Sequence, residues 1–168
     1  MTKAKKILDV GCGDAKVKGS IGIDSIKLPG VDIVHNLNNY PWPFKKETFD
    51  EIYMLNIIEH LPDTIKVMEE VYRILKKGGK VHIVTVYWNH RHSVTDPQHV
   101  SFFNELTWDF FTGKRKDYYT KARFKMEKFK FTYDKAASII FLNIKPLMRL
   151  MSYFLCNIID GMYLTLVK

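Results

Sequence analysis

Residues 5–16 read KKILDVGCGDAK, and the architecture turns on them. Ile7-Leu8-Asp9-Val10 is an apolar run of buried-strand length, and Gly11-Cys12-Gly13 breaks it at once. Glycine at the carboxyl end of a parallel strand lets the backbone approach a ligand with no Cβ in the way. A lone G-x-G says little. It is sharpened by a second apolar run, Ser20–Asp24 (SIGID), which ends on a carboxylate. A carboxylate at the tip of the next strand can accept both hydroxyls of a ribose. The dinucleotide-oxidoreductase fingerprint fits less well: it wants a third glycine opening a helix, where this chain has Lys16, and Lys18-Gly19 leave no room for a helix.

Outward from that stretch the connections stay short. Val31–His35 reads as a third strand, so nine residues (Gly11 to Gly19) and six (Ser25 to Gly30) join the first three strands. Parallel strands usually need a crossover of about a dozen residues. The helices after the first two strands are therefore trimmed, and one sheet face is expected to be bare unless a later segment or a second copy of the chain, as a homodimer, covers it. A Pro/aromatic loop, Tyr40–Phe44, precedes a fourth strand at Phe49–Leu55. Pro62-Asp63 opens a helix whose apolar stripe is Ile65, Met68, Val71, Tyr72 and Leu75, with Lys76-Lys77 in its last turn and Gly78-Gly79 ending it. Lys80–Val86 is the fifth strand and Asn104–Phe111 a short helix. Arg123–Tyr133 alternates as a one-sided strand with a slip at Glu127-Lys128 that predicts a bulge. Met162–Val167 is the last strand.

Between those two strands lies an apolar helical insertion, 136–160, divided by Pro146. Its second half, Pro146–Ile159, is expected to be helical and to pack on the bare sheet face, with a membrane surface as the alternative. The whole chain, 1–168, reads as one domain; 46% of it is hydrophobic. Its longest uncharged apolar runs hold 9 and 10 residues, against about 20 needed to span a bilayer. Two cysteines and a start without an apolar leader point to a cytoplasmic setting. The net charge of +8 is carried by residues 112–149, which hold 11 Lys/Arg against 3 Asp/Glu, while the rest of the chain has 15 of each sign. Such a segment suits a polyanionic partner such as nucleic acid, or simply a solvated face.

ILDVGCGDA (7–15), IGID (21–24), FDEIYMLNIIEHL (49–61) and RILKKGGKVHI (73–83) occur in the order found in class I S-adenosylmethionine-dependent methyltransferases, which the chain resembles over roughly residues 5–113. The resemblance implies an α/β, Rossmann-like class I methyltransferase sheet, mostly parallel with an antiparallel C-terminal strand, and S-adenosylmethionine as cofactor. It implies a cofactor loop of Asp9, Gly11, Cys12 and Gly13, with the two glycines against the methionine end and Asp24 on the ribose. Asn36 then receives the adenine 6-amino group and Leu37 packs on the ring, while Asn56 meets the cofactor beyond the fourth strand. The family more often has Asp at the place of Asn36; an Asn oxygen accepts the same bond without charge, and a plain Asx turn is the other reading. His60 either edges the cofactor or caps its own turn.

The loop YWNHRHSVTDPQHVSFF (87–103) holds His90, His92, Asp96 and His99. These are metal-ligand types, but their spacing matches no compact motif and methyl transfer from a sulfonium needs no metal, so none is expected. Asp-Pro-x-His followed by an aromatic pair resembles a methyltransferase subset and implies a loop facing the acceptor. His99 is the first candidate base, with Asp96 to orient it and His92 as the other candidate. Three functions follow: methylation of a small acceptor such as a sugar or lipid-linked metabolite; RNA methylation through the basic segment; and a non-catalytic binding module that keeps the fold. The RNA reading lacks the N-P-P-Y or D-P-P-Y tetrapeptide and a plausible cysteine nucleophile.

Overall fold

The computed structural model describes residues 4–115 and 118–168. Seven strands form one sheet in the order β3-β2-β1-β4-β5-β7-β6. β1 (Ile7–Val10), β2 (Ile21–Asp24), β3 (Ile33–Val34), β4 (Phe49–Leu55) and β5 (Leu75–Val86) run parallel. β7 (Ile159–Val167) is antiparallel to both neighbours, β5 and β6 (Lys125–Tyr133). The register of β6 slips between Met126 and Lys128, the bulge that the sequence pattern places at Glu127. Among the described residues no helix joins β1 to β2 or β2 to β3.

The registers make the two faces of this sheet chemically different. Ile23, Val10, Met54, Ile83, Leu164 and Phe129 lie side by side across six strands, and all belong to or pack on the main hydrophobic core. One residue along each strand, the row on the other face reads Gly22, Asp9, Tyr53, His82, Thr165 and Lys128. α1 (Thr64–Ile74) covers the apolar face with Val67, Met68, Val71 and Ile74, all fully buried. Each such side chain is worth about 1.5–3 kcal/mol over an exposed one. The polar face carries its own contacts: Tyr53 stacks on His82 with ring centroids 4.6 Å apart, and His82 Nδ1 lies 3.1 Å from the Tyr163 hydroxyl. Burial pushes the His82 imidazole below its ordinary pKa.

α1 begins where expected, its N-cap Asp63 accepting the Lys66 amide at 3.0 Å, but it ends sooner. Leu75 is extended and already part of β5, and Gly78-Gly79 sit in an irregular stretch of that strand. The terminal carbonyls of Arg73 and Ile74 accept the amides of Glu47 and Thr48, so tertiary donors cap this helix in place of a glycine turn. The loop before β4 is fastened to the same helix. Glu70 accepts the Trp42 amide at 2.8 Å while Arg73 donates to the carbonyls of Phe44 and Trp42, and the Trp42 ring is buried.

The expectation for Pro146–Ile159 is corrected. Only α5 (Lys145–Met151) is helical there, preceded by α4 (Lys135–Ile140); the break falls at Leu142 and Asn143, both at positive φ, rather than at Pro146, which the first turn of α5 accommodates. The insertion does not cover the face left open by the missing helices. It stands at the end of β6 and β7, packing Met148 against Ala137 and Ile158 in a small cluster of its own, and leaves Leu142 at 80% and Phe154 at 77% exposure. The row Asp9, Tyr53, His82, Thr165 and Lys128 makes that face less apolar than the strand sequences suggest, although Leu55 and Val84 also lie on it. The remaining short helices, α2 (His92–Thr95) and α3 (Asp109–Thr112), lie between β5 and β6. No helix of the described residues is long and apolar enough to cross a membrane.

Adjacent residues of β4 test this asymmetry. Met54→Ala, on the covered face, is expected to lose about 2–5 kcal/mol in urea unfolding, and Tyr53→Ala, on the open face, less than half as much; equal losses would mean that both faces are core.

Candidate active site

With no helix after β1, the turn from Gly11 to Gly19 is held by side chains. Asp9 is buried and accepts the Val17 amide at 2.8 Å; burial raises its carboxyl pKa, an effect opposed by that amide and by Lys16. Asp24 accepts the Gly13 amide at 2.9 Å and the Ile26 amide at 3.1 Å. The Gly11 amide continues the sheet by donating to the Ile23 carbonyl at 2.8 Å. Both loop-glycine amides expected to face the methionine end are therefore engaged within the chain. The glycines themselves differ in purpose. A Cβ on Gly11 would lie 2.3 Å from Ile57 Cγ1, whereas one on Gly13 would meet nothing within 4 Å. Gly11 makes room for the chain's own Ile57, and Gly13 borders open space. The Cys12 side chain is buried and its Sγ packs beside Gly22, and burial, then Asp9, pushes the thiol up.

Beyond the ends of the parallel strands lies a cleft of about 430 Å3 lined by Asp24, Ser25, Ile26, Asn36, Leu37, Asn38, Asn56, Ile57, His60, Leu61 and Gln98. Four of the expected contact residues, Asp24, Asn36, Leu37 and Asn56, thus share one wall. β2 delivers Asp24, the turn after β3 delivers Asn36 and Leu37, and the left-handed Asn56 ends β4, its amide fixed to the Val84 carbonyl at 2.9 Å. Asn36 is both things the sequence offered: its Oδ1 accepts the Asn38 amide at 3.0 Å in an Asx turn, and it lines the cleft. Asp24 Oδ2 retains a second lone-pair direction beyond the Gly13 amide, while Oδ1 accepts the Ser25 hydroxyl at 3.5 Å as well as the Ile26 amide. Ile57 and Gln98 went unnoticed in the sequence; the positions beside Asn56 and inside Asp-Pro-x-His were their only signal.

The histidines of the 87–103 loop divide into two groups. His99 packs edge-to-face on His60 at 4.7 Å between centroids, and together with Asp96 these bring their ligating atoms within 4.8 Å of one another. His99 Nδ1 lies 3.1 Å from the Ser93 carbonyl oxygen, which can only accept, so Nδ1 carries the proton and neutral His99 presents a lone pair at Nε2. Ser93, rather than Asp96, thus fixes the His99 ring; the Asp96 carboxylate accepts the Gln98 amide at 2.8 Å. His92 is not beside them. Its Nδ1 lies 3.2 Å from Asp160 and its ring packs on His90. A second cleft of about 410 Å3, lined mainly by Ile65, Phe102, Phe103, Phe110, Phe111 and Tyr119, adjoins the first: Ser101 in its wall donates to the carbonyl of Leu61 in the other.

A turn held by carboxylates at the end of β1, a polar cleft across the strand ends and an adjoining aromatic cleft thus stand at one end of the seven-stranded sheet. Residues 2–122 match the family described as methyltransferase domain, and the chain belongs to that family. It is 27% identical over 123 residues to a sterol 4-C-methyltransferase of Caenorhabditis elegans, covering 60% of this chain and 37% of the relative. It is 30% identical over 106 residues to a ubiquinone biosynthesis O-methyltransferase of Pseudomonas entomophila, covering 51% and 46%. The chain thus spans less than half the length of these curated relatives. Among solved structures, a SAM-dependent methyltransferase from Archaeoglobus fulgidus superposes with a TM-score of 0.71 at 15% identity, covering 98% of this chain and 86% of that one. A phosphoethanolamine N-methyltransferase of Haemonchus contortus, in complex with S-adenosyl-L-methionine, gives 0.67 at 18%, covering 100% and 49%. These likenesses show a shared fold.

Asp9→Asn keeps an oxygen for the Val17 amide and removes a buried charge. Because the folded-state pKa of Asp9 is raised, its ionised form costs stability above that pKa, and the cost fades as pH falls through it. The variant is expected to match or exceed the parent in unfolding free energy at pH 8 and to lose that margin in acid. Lower stability at pH 8 would show that the turn needs the charge.

Proposed function

We propose that the protein is an S-adenosylmethionine-dependent methyltransferase acting on a small acceptor with a lipid-like portion. The observation that carries this is the single cleft wall formed by Asp24, Asn36, Leu37 and Asn56, next to open space at Gly13. In it Asp24 accepts ribose hydroxyls, Asn36 hydrogen-bonds the adenine edge, Leu37 packs on the ring and Gly13 leaves room for the methionine end. When bound, S-adenosylmethionine supplies an electrophilic methyl group. The chain's own part is alignment and exclusion of water, with His99 Nε2 receiving the proton of an acceptor hydroxyl or amine.

The acceptor class is read from apolar surface. The second cleft is aromatic-lined, and the insertion exposes Leu142 and Phe154 while residues 135–157 contain Lys135, Lys145 and Arg149 but no acidic residue. Such a surface fits contact with an anionic membrane from which a lipid-like acceptor is taken. The names of the curated relatives, concerned with sterol and ubiquinone biosynthesis, lean the same way. The basic segment supports an RNA substrate less, since its described cations are divided among the loop after α3, the outer face of β6 and the insertion.

Calorimetry with S-adenosylhomocysteine followed by a screen of lipid and glycan acceptors tests the proposal. Asp24→Ala is expected to weaken binding about 10–100-fold; unchanged affinity rejects the cofactor assignment. His99→Ala is expected to lower kcat by about 100-fold or more with cofactor affinity within about threefold, whereas equal losses in both would move His99 into the cofactor pocket.

A further inference from the structure

The insertion leaves the sheet after Tyr133, beside Asp134, and rejoins it at Ile159, beside Asp160, and the loop after β5 brings two histidines to those carboxylates. The His90 side chain is completely buried, which an imidazole tolerates only with its nitrogens satisfied. The His92 backbone amide donates to His90 Nδ1 at 3.2 Å, so Nδ1 bears the lone pair and Nε2 the proton, directed at Asp134 Oδ2 3.4 Å away. That same Nδ1 faces Asp160 Oδ1 at 3.5 Å, and Asp160 Oδ1 is 3.2 Å from His92 Nδ1. His90 Nδ1 and Asp160 Oδ1 are thus both acceptors, and a cation between them would replace the His92 amide as the partner of the one lone pair on His90 Nδ1.

We propose that His90 Nδ1, His92 Nδ1 and Asp160 Oδ1 bind a divalent transition cation of the zinc class, with Asp134 as the carboxylate behind His90. Four ligands set tetrahedrally at about 2.0–2.1 Å from zinc stand about 3.3 Å from one another, and the two edges measured here are 3.5 and 3.2 Å. Two imidazoles with a single carboxylate suit zinc or its neighbours better than calcium or magnesium, which take oxygen ligands. A carboxylate accepting from the remote nitrogen of a ligating histidine fixes its tautomer and strengthens it as a ligand. Asp134 is in place for that, its Oδ2 3.4 Å from His90 Nε2 and its Oδ1 fixed by the Ala136 and Ala137 amides at 2.8 and 3.1 Å. The His92 and Asp160 side chains are 53% and 42% exposed, so a cation can enter from solvent, and water completes its shell. His60, Asp96 and His99 form another such group, but they border the proposed acceptor site and have no second carboxylate behind a histidine among the described contacts. A cation at His90 would join both roots of the insertion to the loop that carries His99.

The test is independent of methyl transfer, so its failure leaves that reading untouched. Chelator-stripped full-length protein is titrated with Zn2+ by calorimetry and with Co2+ by visible absorption, and its melting temperature is followed with and without Zn2+. One equivalent is expected to bind with micromolar or tighter affinity, to give the intense visible bands of low-symmetry Co2+ and to raise the melting temperature. His92→Ala and Asp160→Asn, both at exposed positions, are expected to weaken binding about tenfold or more and abolish the thermal shift, while the metal-free variants melt and bind S-adenosylhomocysteine like the parent. His60→Ala is expected to leave metal binding unchanged. No binding at about 100 micromolar Zn2+, roughly a hundred times the weakest affinity expected, or binding that survives both variants and is lost with His60→Ala, overturns the proposal; the first outcome leaves an aspartate–histidine pair and the second moves the site to His60.

Discussion

Two parallel strands joined by ten residues set the terms for this molecule. A crossover helix would normally both cover the sheet and fix the loop, and here the loop is fixed by the carboxylates at its two ends. Asp9 takes the Val17 amide and Asp24 takes the Gly13 amide, while the Gly11 amide extends the pairing between β1 and β2. The arrangement is economical because the strand-tip carboxylate that shapes the loop also faces the cleft. It couples the two roles: disturbing Asp24 alters the turn as well as the ligand contact. Asp9 is more heavily committed, being buried, and belongs to the scaffold of the site rather than to its surface.

The same missing helices explain the sheet's chemistry. The row Asp9, Tyr53, His82, Thr165 and Lys128 is polar, although Asp9 and Thr165 are themselves buried. The ring stack of Tyr53 on His82 and the cation of Lys128 over Tyr163 at 4.9 Å shelter the backbone there. Folding energy is consequently drawn from one side, where α1, Trp42, Trp108 and Phe111 close over the apolar row. This concentrates the stability of the chain in a single layer and frees the opposite face from packing constraints.

Strand identities, the existence of α1 and the bulge at Glu127 were legible in the sequence because each depends on local periodicity. Of the expected stripe, however, only Met68 and Val71 are among the fully buried residues of α1, which are Val67, Met68, Val71 and Ile74. What was not legible depends on register between strands far apart in the chain. Ile7-Leu8 and Ile33-Val34 look like strands buried on both faces, yet Val34 is 54% exposed, and only pairing to β4 and β5 shows that the second face is polar. The end of α1 was misplaced for a related reason: its capping amides come from Glu47 and Thr48, which no local signal announces. Around the site, residues at strand tips were easy to group, since topology alone sends Asp24, Asn36 and Asn56 to one end of the sheet. The direction of the Cys12 side chain and the separation of His92 from His99 are matters of turn geometry. A loop of seventeen residues with three histidines admits too many pairings for spacing to choose among them.

The insertion is pinched at its base. Tyr133 pairs with Ile159, and the Asp134 amide donates to the Ile158 carbonyl at 3.0 Å, so the ends of the excursion are held together by the β6–β7 hairpin whatever lies between them. The closure entropy of the excursion is borne largely by this stem and grows only slowly with its length. Between those ends the excursion is tied back to the body of the fold by Arg149, which pairs with Glu105 and lies over the Phe131 ring at 4.5 Å.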